Sequence, residues 1–488
     1  MARSSLTWRE LLNLLDRVDN SLAFLSVAAF GLWAAGHALL NKRDPRSALV
    51  WVSISLAIPI FGPLAYWLLG INRITRRALQ WKSDRQADTP ETLSHQRTAA
   101  ALLPELYDPL RDIETLSSKV ARLGLTAGNR IEALENGDAA YPAMLSAISG
   151  ARSSLHLSSY IFDGDGRGAA FVDALREAAG RGVTVRVIVD AMGERYSRLT
   201  ARTALKGSGV DVRHYLPLHQ APFINLRNHR KLLVIDGAVA FTGGMNIRSN
   251  HCCALSAEDG QANDLHFRVD GPAVADLQRI FLEDWHFISG QIPDAPELFP
   301  ELSPAGEAFV RTIADGPDRE FHKLEWLLYG ALATARHRIR IMTPYFVPDR
   351  PQITALVTAA LRGVKITLVL PGKNNLPFVS WASRASYWEL LKHDIVIVEQ
   401  PPPFVHTKLM VVDDLWCLIG SANWDTRSLR LNFELNLSVF DQGLARELNR
   451  YFDDALSLSK VVSQQEMDAR PLPIKLRDGV ARLFSPYL

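Results

Sequence analysis

The chain opens with two long runs of apolar residues that contain no Asp, Glu, Lys or Arg. They cover about 21–41 and 47–71, and each is long enough to cross the roughly 30 Å hydrocarbon core of a membrane as a helix. Pro59 and Pro63 should kink the second helix, which a membrane helix tolerates. The pattern predicts an N-terminal anchor at 1–78 with a transmembrane helical hairpin. A signal peptide or a buried core helix would produce a similar pattern.

Basic residues flank both runs and predict the orientation of the anchor. The loop between the runs carries Lys42, Arg43 and Arg46. The outer flanks carry a larger basic set: Arg3, Arg9, Arg17, Arg73, Arg76, Arg77, Lys82 and Arg85. Because the side with more basic residues faces the cytoplasm, both termini and the remainder of the chain are predicted to be cytoplasmic.

The hydropathy pattern changes after the anchor. Residues 79–130 begin polar and continue with apolar residues at helical spacing from Leu103 to Val120, which predicts a juxtamembrane connector whose helix packs against the following body. From about 131 onward, helical segments alternate with β-branched segments, and the same order occurs twice. The paired elements are helices at 141–151 and 326–335, then strands at 155–162 and 339–347, then strands at 183–190 and 364–370. This alternation predicts an α/β fold with two tandem domains, 131–305 and 306–488.

The composition fits a folded chain with membrane character. Its 488 residues are 48% hydrophobic and 22% charged, enough for roughly two to three domains with cores of their own. The net charge of +2 provides no overall basic field, so nucleic acid is not an expected partner. Cys252, Cys253 and Cys417 form neither a disulfide framework nor a zinc-binding pattern, so no metal site is predicted.

One arrangement of reactive residues is present in both halves of the body. It is His-x-Lys-x4-Asp with four apolar residues between lysine and aspartate, followed further on by Gly-Gly/Ser-X-Asn. The residues of the two copies are His229, Lys231, Asp236 and Asn246, then His406, Lys408, Asp413, Ser421 and Asn423. One copy could arise by chance, but two copies with the same continuation predict a single active site assembled from both halves.

Side-chain parity separates the members of each copy. Residues two apart on a strand point to the same face, so the histidine and lysine of each copy can contact one ligand. The aspartate follows the lysine by an odd number of positions, which points it away from that face. Asp236 and Asp413 also lie at turn-like positions between two apolar runs. Parity therefore favours a structural role in a hairpin turn for both aspartates, because Asp hydrogen-bonds turn backbone readily.

Two further carboxylates are candidates for orienting the histidines. Asp264 follows His229, Glu434 follows His406, and each opens a strand-like run that leads into a helix. A carboxylate that accepts from one imidazole nitrogen fixes the tautomer, so that the other nitrogen can react. The order along the chain suggests one orienting carboxylate for the histidine of its own half.

These segments resemble the phospholipase D superfamily, whose members carry two His-x-Lys-x4-Asp motifs. The closer resemblance is to the bacterial cardiolipin synthases, and it covers nearly the whole chain. The supporting segments are 228–231, 345–349, 420–428 and 430–436 in the body, and 42–48 in the anchor. The resemblance implies two tandem phospholipase D-like α/β/α sandwich domains that form one pseudo-two-fold active site, preceded by the transmembrane hairpin.

The same resemblance implies the chemistry. One histidine attacks phosphorus and forms a phosphohistidine, while the other protonates the leaving alcohol and later activates the incoming one. The family points to His229 as the nucleophile and His406 as the acid/base, without a cofactor or metal. The resemblance also implies catalytic roles for the other motif residues, Lys231, Asp236, Lys408 and Asp413. It implies phosphate binding by Asn246, Asn423 and Ser421.

Phosphatidylglycerol would be both donor and acceptor, with cardiolipin and glycerol as products, in a multi-pass protein of the bacterial inner membrane. A phospholipase D-type hydrolase of the same superfamily would share the intermediate and resolve it with water. A different acceptor lipid is another alternative. A non-catalytic lipid-binding scaffold is disfavoured because both motifs are complete. The sequence does not determine an oligomeric state.

One segment departs from the internal repeat. The stretch between Asn246 and Asp264 is longer than its counterpart in the second half, and it contains His251 and Cys252. It could gate the substrate, but a surface insertion is the favoured interpretation, because loops accept extra length at little cost. The segments Tyr345-Phe346 and Phe223-Ile224 could guide acyl chains, although core or strand-end packing is the favoured use of their aromatic rings.

Overall fold

The structure is a computed structural model that describes residues 8–42, 45–70, 101–216, 226–253, 260–293, 295–317 and 322–485. The chain divides into two compact units, Met1–Gln80 and Trp81–Leu488. Both halves of the predicted body therefore belong to one unit, and the anchor forms the other.

The N-terminal unit is helical. Its helices are Trp8–Asn41, Pro45–Ala57 and Phe61–Ala65, followed by a π-helical turn at Tyr66–Gly70. Within the described residues, one helical stretch, Phe24–Asn41, is long and apolar enough to cross a membrane. This stretch coincides with most of the first predicted span.

The second predicted span is interrupted. The helix that begins at Pro45 ends at Ala57, and Ile60 has a positive φ of 65° before the next short helix begins. Pro59 accounts for the interruption, because proline has no N–H and disfavours helical backbone in the residue before it. The kink expected at Pro59 is thus a complete break, and residues 47–70 do not form one helix of spanning length.

Twenty strands lie in the described part of the larger unit. The first half contains β1 (Leu125–Glu135), β2 (Ser154–Ser159), β3 (Thr184–Asp190), β4 (Asp211–Tyr215), β5 (Arg227–Asn228), β6 (Leu232–Ile235), β7 (Val239–Gly243), β8 (Ala262–Asn263) and β9 (Leu265–Asp270). The second half contains β10 (Ala308–Asp315), β11 (Arg338–Met342), β12 (Phe346–Val347), β13 (Lys365–Pro371), β14 (Val396–Gln400), β15 (Phe404–Val405), β16 (Leu409–Val412), β17 (Trp416–Gly420), β18 (Trp424–Asp425), β19 (Asn432–Phe440) and β20 (Lys460–Val461).

The α-helices of this unit pack on the strands or on one another. They are Arg111–Val120, Asn136–Ser149, Arg167–Gly180, Ala201–Ala204, Ala273–Ser289, Lys323–Thr334, Arg350–Leu361, Pro377–Leu391, Thr426–Arg430, Gln442–Leu458, Gln464–Asp468 and Leu472–Leu483. Short 3₁₀ turns lie at Glu105–Leu110, Gly193–Tyr196, Ser249–His251 and Pro296–Leu298.

The two halves have the same strand order. It is β1-β9-β7-β6-β2-β3-β4 in the first half and β10-β19-β17-β16-β11-β13-β14 in the second, where β20 is added at the edge. The last three strands of each series are parallel, and each half has an apolar core of its own. Antiparallel pairing of β1 with β10 joins both halves in one sheet. The predicted α/β class and its duplication are confirmed.

The predicted connector is partly built into this sheet. β1 begins at Leu125, ahead of the predicted domain boundary, and its first residues pair with β10 while its later residues pair with β9. Gly128, with φ of 80°, lies where the strand changes partner. Before it, Leu110 and Ile113 are buried in the core of the second half, next to helix Lys323–Thr334. The connector helix therefore packs against the body, as predicted.

The motif aspartates lie in the turns of two equivalent hairpins, β6–β7 and β16–β17. Asp236 and Asp413 have left-handed backbone, with φ of 52° and 51°, which Asp adopts more readily than most residues. The Asp236 carboxylate accepts the N–H groups of residues 152–154 at 2.8 to 2.9 Å. The Asp413 carboxylate accepts those of residues 336–338 at 2.7 to 2.8 Å. Each aspartate ties its hairpin to the beginning of the antiparallel neighbour of that hairpin, β2 or β11. These contacts fit the structural role that parity favours.

Replacing Asp236 with Asn should lower the free energy of unfolding by about 1–3 kcal/mol at neutral pH, because three N–H groups lose a charged acceptor. Burial raises the pKa of this carboxyl, but the N–H donors outweigh burial and lower it overall. The stabilisation is therefore complete above the ordinary pKa of Asp and is lost as the pH falls through the lowered one. Denaturant unfolding at several pH values measures this effect, and turnover per folded molecule should be largely retained.

Asp173→Asn provides the control, since it removes an exposed carboxylate from a surface ion pair with Arg176. Such pairs contribute little to stability, so this variant should unfold like the parent protein. Equal losses in the two variants would contradict a special role for Asp236.

Candidate active site

Each motif histidine follows a short strand that pairs with the other half of the protein. β5 pairs in parallel with the beginning of β19, and β15 pairs in parallel with β8. The His229 N–H donates to Phe433 O at 2.9 Å, and the His406 N–H donates to Asn263 O at 2.8 Å. The residue after each of these acceptors is one of the two predicted orienting carboxylates.

The histidine–carboxylate pairs therefore cross between the halves. His229 Nδ1 lies 3.0 Å from Glu434 Oε2, and His406 Nδ1 lies 2.6 Å from Asp264 Oδ2. Both carboxylates are fully buried. The structure thus brings both predicted carboxylates to the histidines. Each carboxylate, however, contacts the histidine of the other half and not, as the order along the chain suggests, the histidine of its own half. A carboxylate at Nδ1 leaves Nε2 of each ring for chemistry.

The motif lysines are buried beside the same histidines. Lys231 Nζ donates to the His229 carbonyl at 2.6 Å, and Lys408 Nζ lies 2.9 Å from His406 Nδ1. Burial lowers the pKa of Lys231 to about 7 and that of Lys408 to about 8, although nearby carboxylates oppose the shift. A bound phosphodiester would favour the charged form of both amines, because an anion stabilises a neighbouring cation.

The electrostatics show that the two motifs form one cluster. Burial lowers the pKa of His229; Glu434 opposes this shift, and Lys231 and Lys408 reinforce it. Burial and then the charges of Lys408, Lys231 and His229 lower the pKa of His406 well below its usual value. Both imidazoles are therefore neutral at neutral pH in the free enzyme, which is the form that a nucleophilic histidine requires.

The two orienting carboxylates have different neighbours. Ser421 Oγ donates to Glu434 Oε2 at 2.5 Å. The equivalent position in the first half is Gly244, where a Cβ atom would lie only 2.2 Å from Asp264 Oδ1. Burial raises the pKa of Asp264. Burial also acts to raise the pKa of Glu434, but its interaction with His229, the charge of Lys231 and its hydrogen bonds outweigh burial and lower the pKa. Asp264 therefore approaches the backbone at Gly244 closely, whereas Glu434 accepts a hydrogen bond from the side chain at the equivalent position.

The three predicted phosphate-binding residues are not equivalent. Ser421 is fully buried with its hydroxyl on a carboxylate, so its position does not support direct phosphate binding. Asn246 Oδ1 accepts the Ile161 N–H at 3.2 Å. Asn423 Nδ2 donates to Ser428 Oγ at 3.1 Å, and its buried Oδ1 has no hydrogen-bond partner among the described residues. The two asparagines remain the candidates for holding phosphate oxygens.

The longer stretch between Asn246 and Asp264 is not a surface insertion in its described part. His251 and Cys252 are buried, and the His251 ring lies 5.6 Å from the His406 ring between centroids. Residues 254–259 lie outside the described residues, as do Phe223 and Ile224. All three cysteines are free. Pairing of β8 with β15 makes this stretch part of the wall beside the second histidine.

One group of the described residues could hold a metal ion. The potential ligand atoms of His251, Asp264 and His406 lie within 4.8 Å of one another, and His₂Asp sets are suited to Zn²⁺. An ion there would occupy atoms of His406 and Asp264 that otherwise orient the imidazole.

Sequence reasoning missed two side chains that shape the site. The Tyr160 ring lies 5.3 Å from the His229 ring, and Lys231 Nζ lies 5.5 Å from the same tyrosine ring. Arg230, at the variable position of the motif, is buried and donates to both oxygens of Asp284 at 2.7 and 2.8 Å. Tyr160 lies near the end of a predicted strand, where a core aromatic is common, and Arg230 has no equivalent in the second motif. Neither residue was therefore marked by its type or position in the sequence.

Two equivalent α/β halves that each contribute a histidine and a lysine to one centre define a phospholipase D-like fold and site. The comparison with protein families agrees with this class. Residues 144–285 and 328–456 match the family described as cardiolipin synthase, PLD-like domain, and residues 29–70 match the phospholipase D-nuclease N-terminal family.

Whole-chain relatives narrow the class. The chain is 31% identical over 458 residues to the major cardiolipin synthase ClsA of Bacillus subtilis (strain 168), covering 92% of this chain and 95% of the relative. It is 32% identical to a cardiolipin synthase of Geobacillus sp. (strain WCH70), covering 92% and 90%. The chain belongs to the cardiolipin synthase family of phospholipase D-like phosphatidyltransferases. A phosphatidylserine synthase structure from Haemophilus influenzae Rd KW20 shares the fold, with a TM-score of 0.61, 13% identity, and coverage of 77% of this chain and 100% of that chain.

Gly244→Ala should reduce the turnover number by about 100-fold, because the new Cβ would displace the Asp264 carboxylate from His406 and a shift of about 1 Å has effects of that size. Ser421→Ala at the equivalent position removes one hydrogen bond without a clash, and it should cost about tenfold. Steady-state kinetics on folded protein test both. Gly180→Ala, which has open space around its Cβ, is the control. A Gly244→Ala enzyme with parental turnover would contradict the close approach.

The value of kcat/KM should fall as the pH rises through about 7 to 8, since Lys231 and Lys408 lose their protons there in the free enzyme. An anionic diester binds more weakly to neutral amines, and kcat/KM reports ionisations of the free enzyme. Lys408→Gln should have lower activity and lack the part of this decline near pH 8. A profile that stays flat to about pH 10, the ordinary range of a lysine, would contradict the lowered pKa values.

Proposed function

We propose that this protein transfers a phosphatidyl group from one phosphatidylglycerol molecule to another, giving cardiolipin and glycerol. The observation that supports the proposal most is the pair of crossed histidine–carboxylate contacts, each with a buried lysine beside it. Such a centre can hold one phosphodiester between two imidazoles. Cardiolipin synthases with about the same length as this chain are its whole-chain relatives.

In the first step, His229 Nε2 attacks the phosphorus of the donor lipid. The bond from phosphorus to the oxygen of the terminal (headgroup) glycerol breaks. Glu434 accepts the Nδ1–H of His229 and so fixes the tautomer in which Nε2 is the nucleophile. The charge of the bound diester raises the pKa of His406, which then donates its Nε2 proton to the departing glycerol. The product of this step is a phosphohistidine at His229.

In the second step, the acceptor hydroxyl transfers its proton to neutral His406 and attacks phosphorus. The phosphorus–nitrogen bond breaks, and cardiolipin forms. Lys231, Lys408, Asn246 and Asn423 stabilise the non-bridging oxygens in both steps. For Asn423, a 180° rotation of the side-chain amide would exchange Oδ1 and Nδ2. Nδ2 would then point into the site, and the Ser428 hydroxyl would donate to Oδ1. This scheme uses no cofactor and leaves the two motif aspartates a structural role.

The acceptor lipid contributes a second phosphate that also needs compensation. Arg227 precedes His229 by two positions, which places both on the same side of the extended chain. Burial raises the pKa of Tyr160 beside His229, and the charges of Arg227 and Arg427 oppose that rise. Two guanidinium groups near the reacting centre suit an acceptor with net negative charge. They favour phosphatidylglycerol over phosphatidylethanolamine as the acceptor.

We also propose that the protein is a multi-pass protein of the bacterial inner membrane with its catalytic unit on the cytoplasmic side. The apolar helix Phe24–Asn41 and the N-terminal family match at 29–70 support membrane association. The predominance of basic residues outside the two apolar runs supports this orientation. The second crossing would then consist of two helical pieces that meet at Pro59. A break at this point avoids placing the proline inside a continuous helix.

The full-length protein in mixed micelles, supplied with phosphatidylglycerol labelled in its terminal glycerol, should release glycerol and form cardiolipin in equal amounts. His229→Ala should reduce both products by at least about 10³-fold, because loss of a nucleophile removes the covalent route. His393→Ala, two residues after helix Pro377–Leu391, is the control and should behave as the parent. Glycerol accompanied by phosphatidic acid would show that water resolves the intermediate and that the protein is a hydrolase.

The assignment of the nucleophile has a separate test. His406→Ala lacks both the acid of the first step and the base of the second. Given donor lipid labelled at phosphorus, it should form the phosphohistidine slowly, fail to resolve it, and so retain acid-labile label on the protein. Mapping the label to any residue other than His229 would contradict the proposed roles.

A further inference from the structure

The last helix of the chain, Leu472–Leu483, exposes a row of large apolar side chains. Leu472, Leu476, Val480 and Leu483 are 68%, 60%, 54% and 75% exposed. Their spacing of four, four and three places them along one face of the helix. Contiguous exposed apolar surface on a folded body marks an interaction site more often than chance.

The opposite face of this helix is firmly attached to the body. Asp478 is buried and accepts from Arg470 at 2.7 Å and from Arg477 at 2.7 Å. The Arg477 guanidinium lies 4.5 Å from the centre of the Trp381 ring, on helix Pro377–Leu391. The orientation of the helix is therefore set by buried ionic and ring contacts, and its apolar row faces outward as a consequence.

The apolar surface continues towards the active site. The Phe484 ring contacts Phe378 at 5.6 Å between centroids, and Phe378 and Leu376 are both exposed. Just before them, Asn375 Oδ1 accepts from the Tyr345 hydroxyl at 2.9 Å. Tyr345 in turn packs 6.1 Å from Phe404, whose ring lies 6.0 Å from that of His406. One chain of contacts thus leads from the exposed helix to the second catalytic histidine.

Charge on this surface is positive. Lys475 and Arg482 are exposed on the same helix as the apolar row. The one acidic residue of the helix is the buried Asp478, which is already paired with arginines. A helix with an apolar face and flanking basic residues suits the interface of a membrane that contains anionic lipid.

We propose that this surface, formed by Leu472–Leu483 with Leu376, Phe378 and Phe484, docks the catalytic unit on an anionic lipid bilayer. The inference rests on the proposed function, because a lipid whose phosphate is transferred must reach His406. With the surface in the interface, the acyl chains of a bound lipid remain in the membrane while the headgroup extends along Tyr345 and Phe404 to the histidine. The lipid then enters at the side of the site that belongs to the second half.

Site-directed fluorescence on the full chain tests the contact directly. Leu476→Cys carries an environment-sensitive fluorophore in a Cys253→Ser, His229→Ala background, so that labelling is selective and lipid is not consumed. The protein is placed in phosphatidylglycerol–phosphatidylcholine vesicles and exposed to aqueous iodide or to lipids with a spin label in the acyl chain. Leu458→Cys, an exposed leucine on helix Gln442–Leu458, is the matched control.

We expect the label at 476 to be several-fold less accessible to iodide than the label at 458, and to be quenched by the spin-labelled lipid. Equal iodide access at both positions would overturn the proposal. Protection from iodide without quenching by lipid would also overturn it, since a protein segment or a second copy of the chain would then cover the surface. These outcomes are independent of whether the enzyme makes cardiolipin.

A kinetic test uses the active enzyme. Leu476→Glu with Val480→Glu should lower turnover of long-chain phosphatidylglycerol in vesicles by about tenfold, because two charges oppose interfacial insertion. Turnover of short-chain phosphatidylglycerol dispersed below its micellar concentration should change less than about twofold, because that substrate does not require docking. Equal losses on both substrates would indicate damage to the fold and contradict the docking role. Absence of cardiolipin with the parent enzyme on both substrates would instead reject the proposed function.

Discussion

The exchange of carboxylates between the two halves is the constraint on which the rest of the catalytic unit depends. Neither half contains a correctly oriented histidine by itself, because Glu434 serves His229 and Asp264 serves His406. The exchange is imposed by backbone, since β5 and β15 each pair with the chain just ahead of the other half's carboxylate. The two halves must therefore fold as one body, and the continuous sheet through β1 and β10 provides that body.

Within this symmetric frame the two histidines have unlike surroundings. His229 faces Tyr160 and a glutamate supported by a serine hydroxyl. His406 faces His251 and an aspartate for which Gly244 leaves the space. A duplicated site starts with two identical imidazoles, but a nucleophile and an acid/base require different proton affinities. Differences in the neighbours of otherwise equivalent groups are the physical means by which duplication can separate the two roles.

Burial has opposite consequences for the free and the occupied site. Two lysines, two histidines and two carboxylates share a region from which water is largely excluded, so cations lose protons that they would keep in solution. A phosphodiester contributes the missing negative charge and restores the protonated forms. On the proposed function, the charges of the site are therefore balanced only when its substrate is bound.

Much of this protein could be predicted from its sequence, and the predictable part is local. Periodicity located the strands and helices, and parity separated the histidine and lysine from the aspartate of each motif, because these properties depend on neighbours along the chain. The repeat itself indicated two halves around one site. Proline chemistry indicated a kink at Pro59, although not the extent of the break.

Only the tertiary structure decided which groups meet. The crossing of the carboxylates follows from strand pairing between distant segments, and no local pattern encodes a partner strand. Ser421 supports a carboxylate rather than a phosphate for the same reason, because its hydroxyl contacts Glu434 and Leu435 on the neighbouring strand β19. The burial of His251 beside His406, in a stretch that looked like a surface insertion, depends on pairing of β8 with the opposite half. Sequence by itself determined the chemical groups and their local geometry, and the long-range pairing of backbone determined how those groups combine into a site.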